Sequence, residues 1–215
     1  SLNYNGDPTN RKNLSARIPE DENCSLFLTG LPPNVTYAQL LALFRQTGRI
    51  YATFINPPEF HRGHPTCAAK VTFFSKRAAQ EVLRRHGPGR PRHAWLSTRG
   101  YKIKVVPHRV KVSEPLAKSA NWEDDYGGPP SRVLAVSGPR EIVRVPTILK
   151  RMRRSCYFNL DQVVVIADTE EYCALEIRFA SFYGQAQLAF FGLCGDIEFQ
   201  GRGGKVSYGA DPCGE

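Results

Sequence analysis

The sequence predicts an α+β protein built from two βαββαβ sandwiches. Three observations carry this prediction. Short alternating or β-branched segments are interleaved with amphipathic ones in the order βαββαβ, and that order occurs twice. A stretch rich in Pro, Gly and acidic residues separates the two copies. The length, 215 residues with 41% hydrophobic content, suits two small folded domains.

Residues 1–22 are polar with little periodicity and read as a flexible N-terminal arm. The first unit spans 23–110. Leu26–Thr29 alternates as a strand, and Pro32-Pro33-Asn34 turns the chain. Thr36 has the chemistry of a helix N-cap, with Leu40, Leu41, Leu43 and Phe44 behind it as a core face. Ile50–Ile55 is the second strand, stopped by Asn56-Pro57-Pro58. Cys67–Phe74 is the third. Ser75 caps a helix that turns Ala78, Ala79, Val82 and Leu83 inward, and Gly87–Arg92 is a Gly/Pro/Arg stretch. Tyr101–Val106 is the last strand, ended by Pro107.

Residues 111–130 are a linker by composition, with Glu123-Asp124-Asp125 and Gly127-Gly128-Pro129-Pro130. The second unit spans 131–215. Its strands are expected at Val133–Val136, Leu160–Ile166, Ala174–Phe179 and Val206–Tyr208. Helices are expected from Pro146 to about Ser155 and from Ser181 to Leu193, with a small hairpin at Ile197–Phe199.

The charge is unevenly divided. The whole chain is +9, but Cys24–Val110 holds fourteen Lys/Arg against Glu59 and Glu81 alone, a net of +12. The second unit balances to zero. A polyanion partner for the first unit is the direct physical reading.

Strand alternation decides which side chains face outward. In the first unit these are Phe27 and Thr29, then Phe54 (if the second strand carries an irregularity that turns Ile50, Thr53 and Ile55 inward), then Ala68, Lys70 and Thr72, then Lys102 and Lys104. Rings beside cations suit a single-stranded nucleic acid, which needs stacking for bases and charge for phosphates. Arg62 and His64 fall in the loop between the second and third strands, Arg90 and Arg92 in the Gly/Pro-rich stretch, and Arg109 after the last strand. All suit backbone contacts.

Leu26-Phe27-Leu28-Thr29-Gly30-Leu31, followed some forty residues later by Ala69-Lys70-Val71-Thr72-Phe73, resembles the RNA-recognition motif, a four-stranded sheet of ferredoxin-like topology that stacks bases on its central strands. The resemblance covers residues 24–110 and implies a eukaryotic protein with tandem copies, the second divergent. It implies single-stranded RNA as partner and Phe27 as a stacking residue. It also marks a departure, since the family's third strand carries two aromatics where Ala68 and Lys70 stand here. Each lost platform is worth roughly 1–3 kcal/mol.

The second unit has Ala135, Ser137, Ala174 and Glu176 at the equivalent outward positions, with no ring among them, and Glu176 repels phosphate. Val164 and Ile166 are expected outward on its second strand, giving a smooth apolar face for a protein partner or the linker. The alternative reading makes the whole chain a protein-interaction module whose two sheets no longer bind RNA. Lys150, Arg151, Arg153 and Arg154 gather at a helix end, where cations are favourable in themselves.

Other classes find little support. No phosphate loop, nucleophile elbow or His/acid constellation suggests an enzyme, and no cofactor is expected. The six cysteines form no C-x-x-C pair and suit an intracellular protein with reduced thiols, in nucleus or cytoplasm. His61, His64 and Cys67 lack a fourth ligand, so no metal site is expected. No run is long enough to span a membrane, and no secretory h-region stands at the N-terminus.

Overall fold

The computed structural model describes residues 15–115 and 128–214. The start of the arm and the acidic cluster at 123–125 therefore lie outside the described residues. The first unit contains β1 (Ser25–Leu31), α1 (Tyr37–Leu41, prolonged by a 3-10 turn over Ala42–Phe44), β2 (Ile50–Asn56), β3 (Cys67–Phe73), α2 (Lys76–His86), β4 (Leu96–Thr98) and β5 (Tyr101–Pro107). The second contains β6 (Val133–Pro139), α3 (Val145–Met152), β7 (Leu160–Asp168), β8 (Tyr172–Phe179), α4 (Gln187–Cys194), α5 (Ile197–Gly201) and β9 (Lys205–Tyr208). The sheets are antiparallel, ordered β2-β3-β1-β5-β4 and β7-β8-β6-β9. Both units are α+β sandwiches of the expected kind.

Local chemistry explains the element starts. Thr36 closes a capping box with Gln39, satisfying two backbone N–H groups that helix geometry leaves without partners. Ser75 accepts from the Arg77 N–H at the start of α2. Gly30, at φ +84°, turns β1 at a bulge between Thr29 and Leu31. A Cβ there would meet the Lys102 carbonyl oxygen at 2.8 Å, so only glycine lets β1 and the start of β5 approach.

Each unit has its own core. Leu26, Leu28, Leu40, Phe44, Val71 and Phe73 fill the first, and Val136, Ile148, Leu175, Ile177, Phe190 and Phe199 the second. These residues come from alternate strand positions and one face of each helix, as the periodicity predicts.

Four expectations need correction. The short strand β4 follows the Gly/Pro/Arg stretch and pairs with β5, making the first sheet five-stranded. Ile197–Phe199 is helical, not a hairpin, because the Asp196 side chain caps it by accepting from the Phe199 N–H. Regular helix begins at Gln187, not Ser181, because Gly184 takes a left-handed φ of +71°. Residues 15–22 are not a flexible arm. Ser15 and Ala16 hydrogen-bond the backbone of Arg109 and Lys111, and the Gln80 amide donates to the Asp21 carbonyl.

The two units are locked together along the outer edge of β2. Arg132, 1% exposed at its side chain, donates from Nε to Asp211 Oδ1 (2.9 Å) and from Nη1 to Asp161 Oδ2 (2.9 Å) and the Phe179 carbonyl (2.9 Å). The other Asp211 oxygen accepts from the Ile50 N–H of β2 at 2.9 Å. One buried carboxylate thus joins a cation of the second unit to the backbone of the first. The chain after Asp211 continues into the first unit: the Pro212 and Cys213 carbonyls accept from the Gln46, Thr47 and Gly48 N–H groups. The Cys213 thiol, pushed up to about 12 chiefly by burial, stays protonated and donates to the Leu41 carbonyl. Further along β2 the Thr53 N–H donates to Ser181 Oγ and its hydroxyl to the Ala180 carbonyl, both at 2.8 Å. Tyr51, Phe74, Phe182 and Tyr183 pack ring to ring beside them.

Asp211→Ala should remove about 3 kcal/mol of stability, because it leaves the buried Arg132 with Asp161 as its remaining carboxylate and the buried Ile50 N–H without its acceptor. Asp168→Ala, which breaks the exposed Arg140 pair, should leave the urea midpoint nearly unchanged. Urea unfolding of the two variants side by side checks both.

Candidate nucleic-acid interface

The register of the first sheet sets a row of side chains on the face opposite its helices. Phe54 of β2 stands opposite Lys70 of β3, Lys70 opposite Phe27 of β1, and Phe27 opposite Val106 of β5. The adjoining row is Asn56, Ala68, Thr29 and Lys104, with Lys102 two residues further along β5. Directly opposed residues on such a face are near enough to bind one ligand. Phe54 faces out because β2 carries a bulge between Ile50 and Ala52, which shifts the alternation as the sequence required. Phe54 is 57% exposed.

Phe27 is only half-exposed. His108, just past β5, packs against it edge-on with ring centroids 5.7 Å apart. Its backbone N–H donates to the Ser25 carbonyl, prolonging the β1–β5 pairing by a residue. Nothing in the sequence marked His108, since Pro107 reads as the end of the strand. His108 Nδ1 lies within hydrogen-bond distance of both the Val110 N–H (3.0 Å) and the Val110 carbonyl oxygen (3.1 Å), so the Val110 backbone holds the ring in either tautomer. Burial lowers the imidazole pKa; a hydrogen bond to the Val110 backbone offsets part of this, and the neighbouring Lys70 and Arg109 charges lower it further. Burial likewise lowers the pKa of Lys70, which stands between Phe27 and Phe54 in the register.

One end of the face is closed. Ser25 and Thr72 are buried and bond to each other through their hydroxyls at 3.1 Å. The chain after β5 passes close by, with the Cys24 N–H donating to the Val112 carbonyl and the Asn23 amide to the His108 carbonyl. The open part runs from Phe27 and Phe54 towards Thr29, Lys104 and Lys102.

The structure brings six of the sequence-predicted residues onto this surface: Phe27, Thr29, Phe54, Lys70, Lys102 and Lys104. The other five surround it from different sides. Arg62 and His64 lie in the β2–β3 hairpin, where Arg62 pairs with Glu59 at 3.1 Å and Glu59 bridges to His64. Arg90 and Arg92 lie at the opposite, β4 side of the sheet, and the Trp95 indole donates to the Arg90 carbonyl. Arg109 follows His108, and its carbonyl accepts from Ser15.

The second sheet has a different face. Val164, Glu176, Ala135 and Ser207 stand in one row across β7, β8, β6 and β9. Glu176 pairs with Arg178 at 2.6 Å, and Arg178 donates to Gln162 at 3.1 Å. The expected smooth apolar face is therefore corrected: a polar network crosses it. The exposed apolar residues Val165 and Ile166 sit at a second bulge on the β7 edge, which turns the strand there. In the basic helix end, Arg151 is 9% exposed and bound by Asp196 (2.6 Å) and Glu198 (3.0 Å), a structural role. Among the described residues no cluster of three potential metal ligands occurs, and no helix is long and apolar enough to cross a membrane.

Residues 26–87 match the family model for the RNA recognition motif. No curated protein matches the chain significantly. Among solved structures, the Sex-lethal RNA recognition domains 1 and 2 from Drosophila melanogaster are 18% identical, covering 87% of this chain and 100% of that one at a TM-score of 0.29. A Sxl-lethal protein/RNA complex is 21% identical, covering 86% and 97% at 0.31. The first two RRM domains of the yeast poly(U) binding protein are 16% identical, covering 87% and 99% at 0.31. Likeness at this level does not transfer a function.

His108 should titrate below the ordinary histidine value of about 6.5. A depressed histidine pKa means that the unfolded chain takes up the proton first, so this group's stability contribution is full above about pH 6.5 and is lost as pH falls towards the folded pKa. An NMR titration of the His108 ring checks the direction, and a midpoint at or above 6.5 contradicts it.

Proposed function

Taking residues 26–87 as an RNA recognition motif, we propose that the first unit binds single-stranded RNA on the open face of its sheet. The observation that carries the reading is the row Phe54, Lys70, Phe27, with Lys104 and Lys102 beside it. The two rings offer stacking surfaces, and the lysines offer phosphate contacts that replace the rings absent at Ala68 and Lys70. His108 presents a polar ring edge next to Phe27, suited to a hydrogen bond with a stacked base. Arg62, His64, Arg90, Arg92 and Arg109 supply backbone contacts around the rim, adding affinity without sequence choice.

The second unit serves as a brace. Its sheet offers no ring at the central outward positions and carries Glu176 among them. Its strongest feature is the grip on β2, which fixes the strand that presents Phe54. Trading rings for lysines makes the binding strongly salt-dependent and weakly selective for sequence.

Titration of the chain with labelled single-stranded RNA at two salt concentrations tests this. Phe27→Ala should weaken binding by about 1–3 kcal/mol. Reversing Lys102 and Lys104 to Glu should abolish it and flatten the salt dependence. Unchanged affinity in both variants would remove the sheet as the site.

A further inference from the structure

A second basic surface lies on the other side of the first unit. Helix α2 packs Ala78, Ala79 and Val82 into the core, which places its outer face opposite the Phe27 surface. That outer face lines a groove of about 430 Å³ with Arg77, Gln80, Glu81, Arg84 and Arg85, facing Gln46 and Thr47 of the α1–β2 loop. A second hollow of about 410 Å³, lined by Arg49, Ser75 and the tail residues Asp211 and Gly214, shares Arg77 and Ala78 with the first. The two form one trough.

The trough is built by the contact between the two units. The tail carbonyls of Pro212 and Cys213 hold the loop N–H groups of Gln46, Thr47 and Gly48. Gly48 then lies so close to α2 that a Cβ on it would come within 2.3 Å of the Ala78 Cβ. The floor is therefore fixed before any ligand arrives.

Its charge is positive and partly unspent. Arg84 and Arg85 share the single carboxylate of Glu81. Arg77, exposed and about two helical turns before Arg84, makes no ion pair among the described residues. Asp211 is turned inward to Arg132 and Ile50. The lining has no aromatic or large aliphatic side chain, so a protein partner would find no anchor of the kind that carries most interface energy. Nor is there a ring for a base to stack on. Guanidinium groups seven residues apart on a helix are about 10 Å apart along its axis, near enough for one flexible strand to reach both with different phosphates.

We propose that this trough is a second, sequence-independent RNA-backbone site, engaged by strands long enough to pass from the sheet to the helical side. Its chemistry is phosphodiester recognition by Arg77, Arg84 and Arg85, with Gln46, Thr47 and Gln80 as neutral hydrogen-bonding groups. The inference rests on the sheet reading above, because it treats the trough as the continuation of a strand already bound there.

The test compares a single-stranded hexamer with a thirty-nucleotide strand of the same composition, binding to the intact 215-residue chain. The double variant Arg77→Gln and Arg84→Gln, on exposed helix positions that glutamine tolerates, removes two phosphate contacts. It should weaken binding of the long strand about tenfold, lower the slope of log affinity against log salt by about 1.4, and leave the hexamer unchanged. Equal binding of the long strand by variant and wild type overturns the trough alone. Equal loss for both lengths also overturns it, since a hexamer on the sheet would not reach the trough. If the wild type binds neither strand, the sheet reading and the trough fall together.

Discussion

The Asp211 carboxylate is the constraint on which the arrangement depends. It is buried between the Arg132 guanidinium and the Ile50 N–H, so each unit supplies a group that the other must satisfy. A buried pair of this kind adds little net stability over a well-packed apolar contact, but breaking it is expensive. Its effect is therefore to specify one relative position of the two units. The consequences spread along β2. An exposed edge strand is a template for unwanted pairing, and here the N–H groups of Ile50 and Thr53 are both taken by the second unit. The same grip holds the bulged strand in the register that turns Phe54 outward.

With that edge covered, the first unit keeps one open face and one basic helical side. The open face is an incomplete stacking platform. Ala68 and Lys70 stand where rings would give two more stacking positions, and on the reading proposed above Lys70, Lys102 and Lys104 would supply long-range attraction instead of local contact. Such a trade would shift affinity from base recognition to phosphate recognition. The neutral second unit fits this division: it brings no field of its own, and its sheet is crossed by the Glu176–Arg178–Gln162 network.

Much of this was legible in the sequence, for physical reasons that differ by element. Strand alternation placed Phe27, Lys70, Lys102 and Lys104 on one face because a two-residue period leaves no alternative once the core residues are known. The bulge in β2 was legible because Ile50, Thr53 and Ile55 cannot all face inward on a regular strand. The helix at Ile197 was not, since Ile-Glu-Phe alternates like a strand and only the Asp196 cap decides otherwise. His108 was hidden behind Pro107, and its contact with Phe27 exists only through the β1–β5 pairing. Arg132 and Asp211 are separated by most of the second unit, and no local pattern marks two charges that will meet in an interior. Ser181 reads as the start of a helix, but its hydroxyl accepts from the Thr53 N–H across the interface.

On the proposed function, RNA meets the first sheet while the second unit only holds it in place. The most direct measurement is an NMR titration of the isotope-labelled chain with unlabelled single-stranded RNA, followed residue by residue. Shifts are expected at Phe27, Thr29, Phe54, Lys70, Lys104 and His108, with Ala135, Ala174 and Glu176 on the second sheet unmoved. Shifts confined to the second sheet, or none on the first, would contradict it.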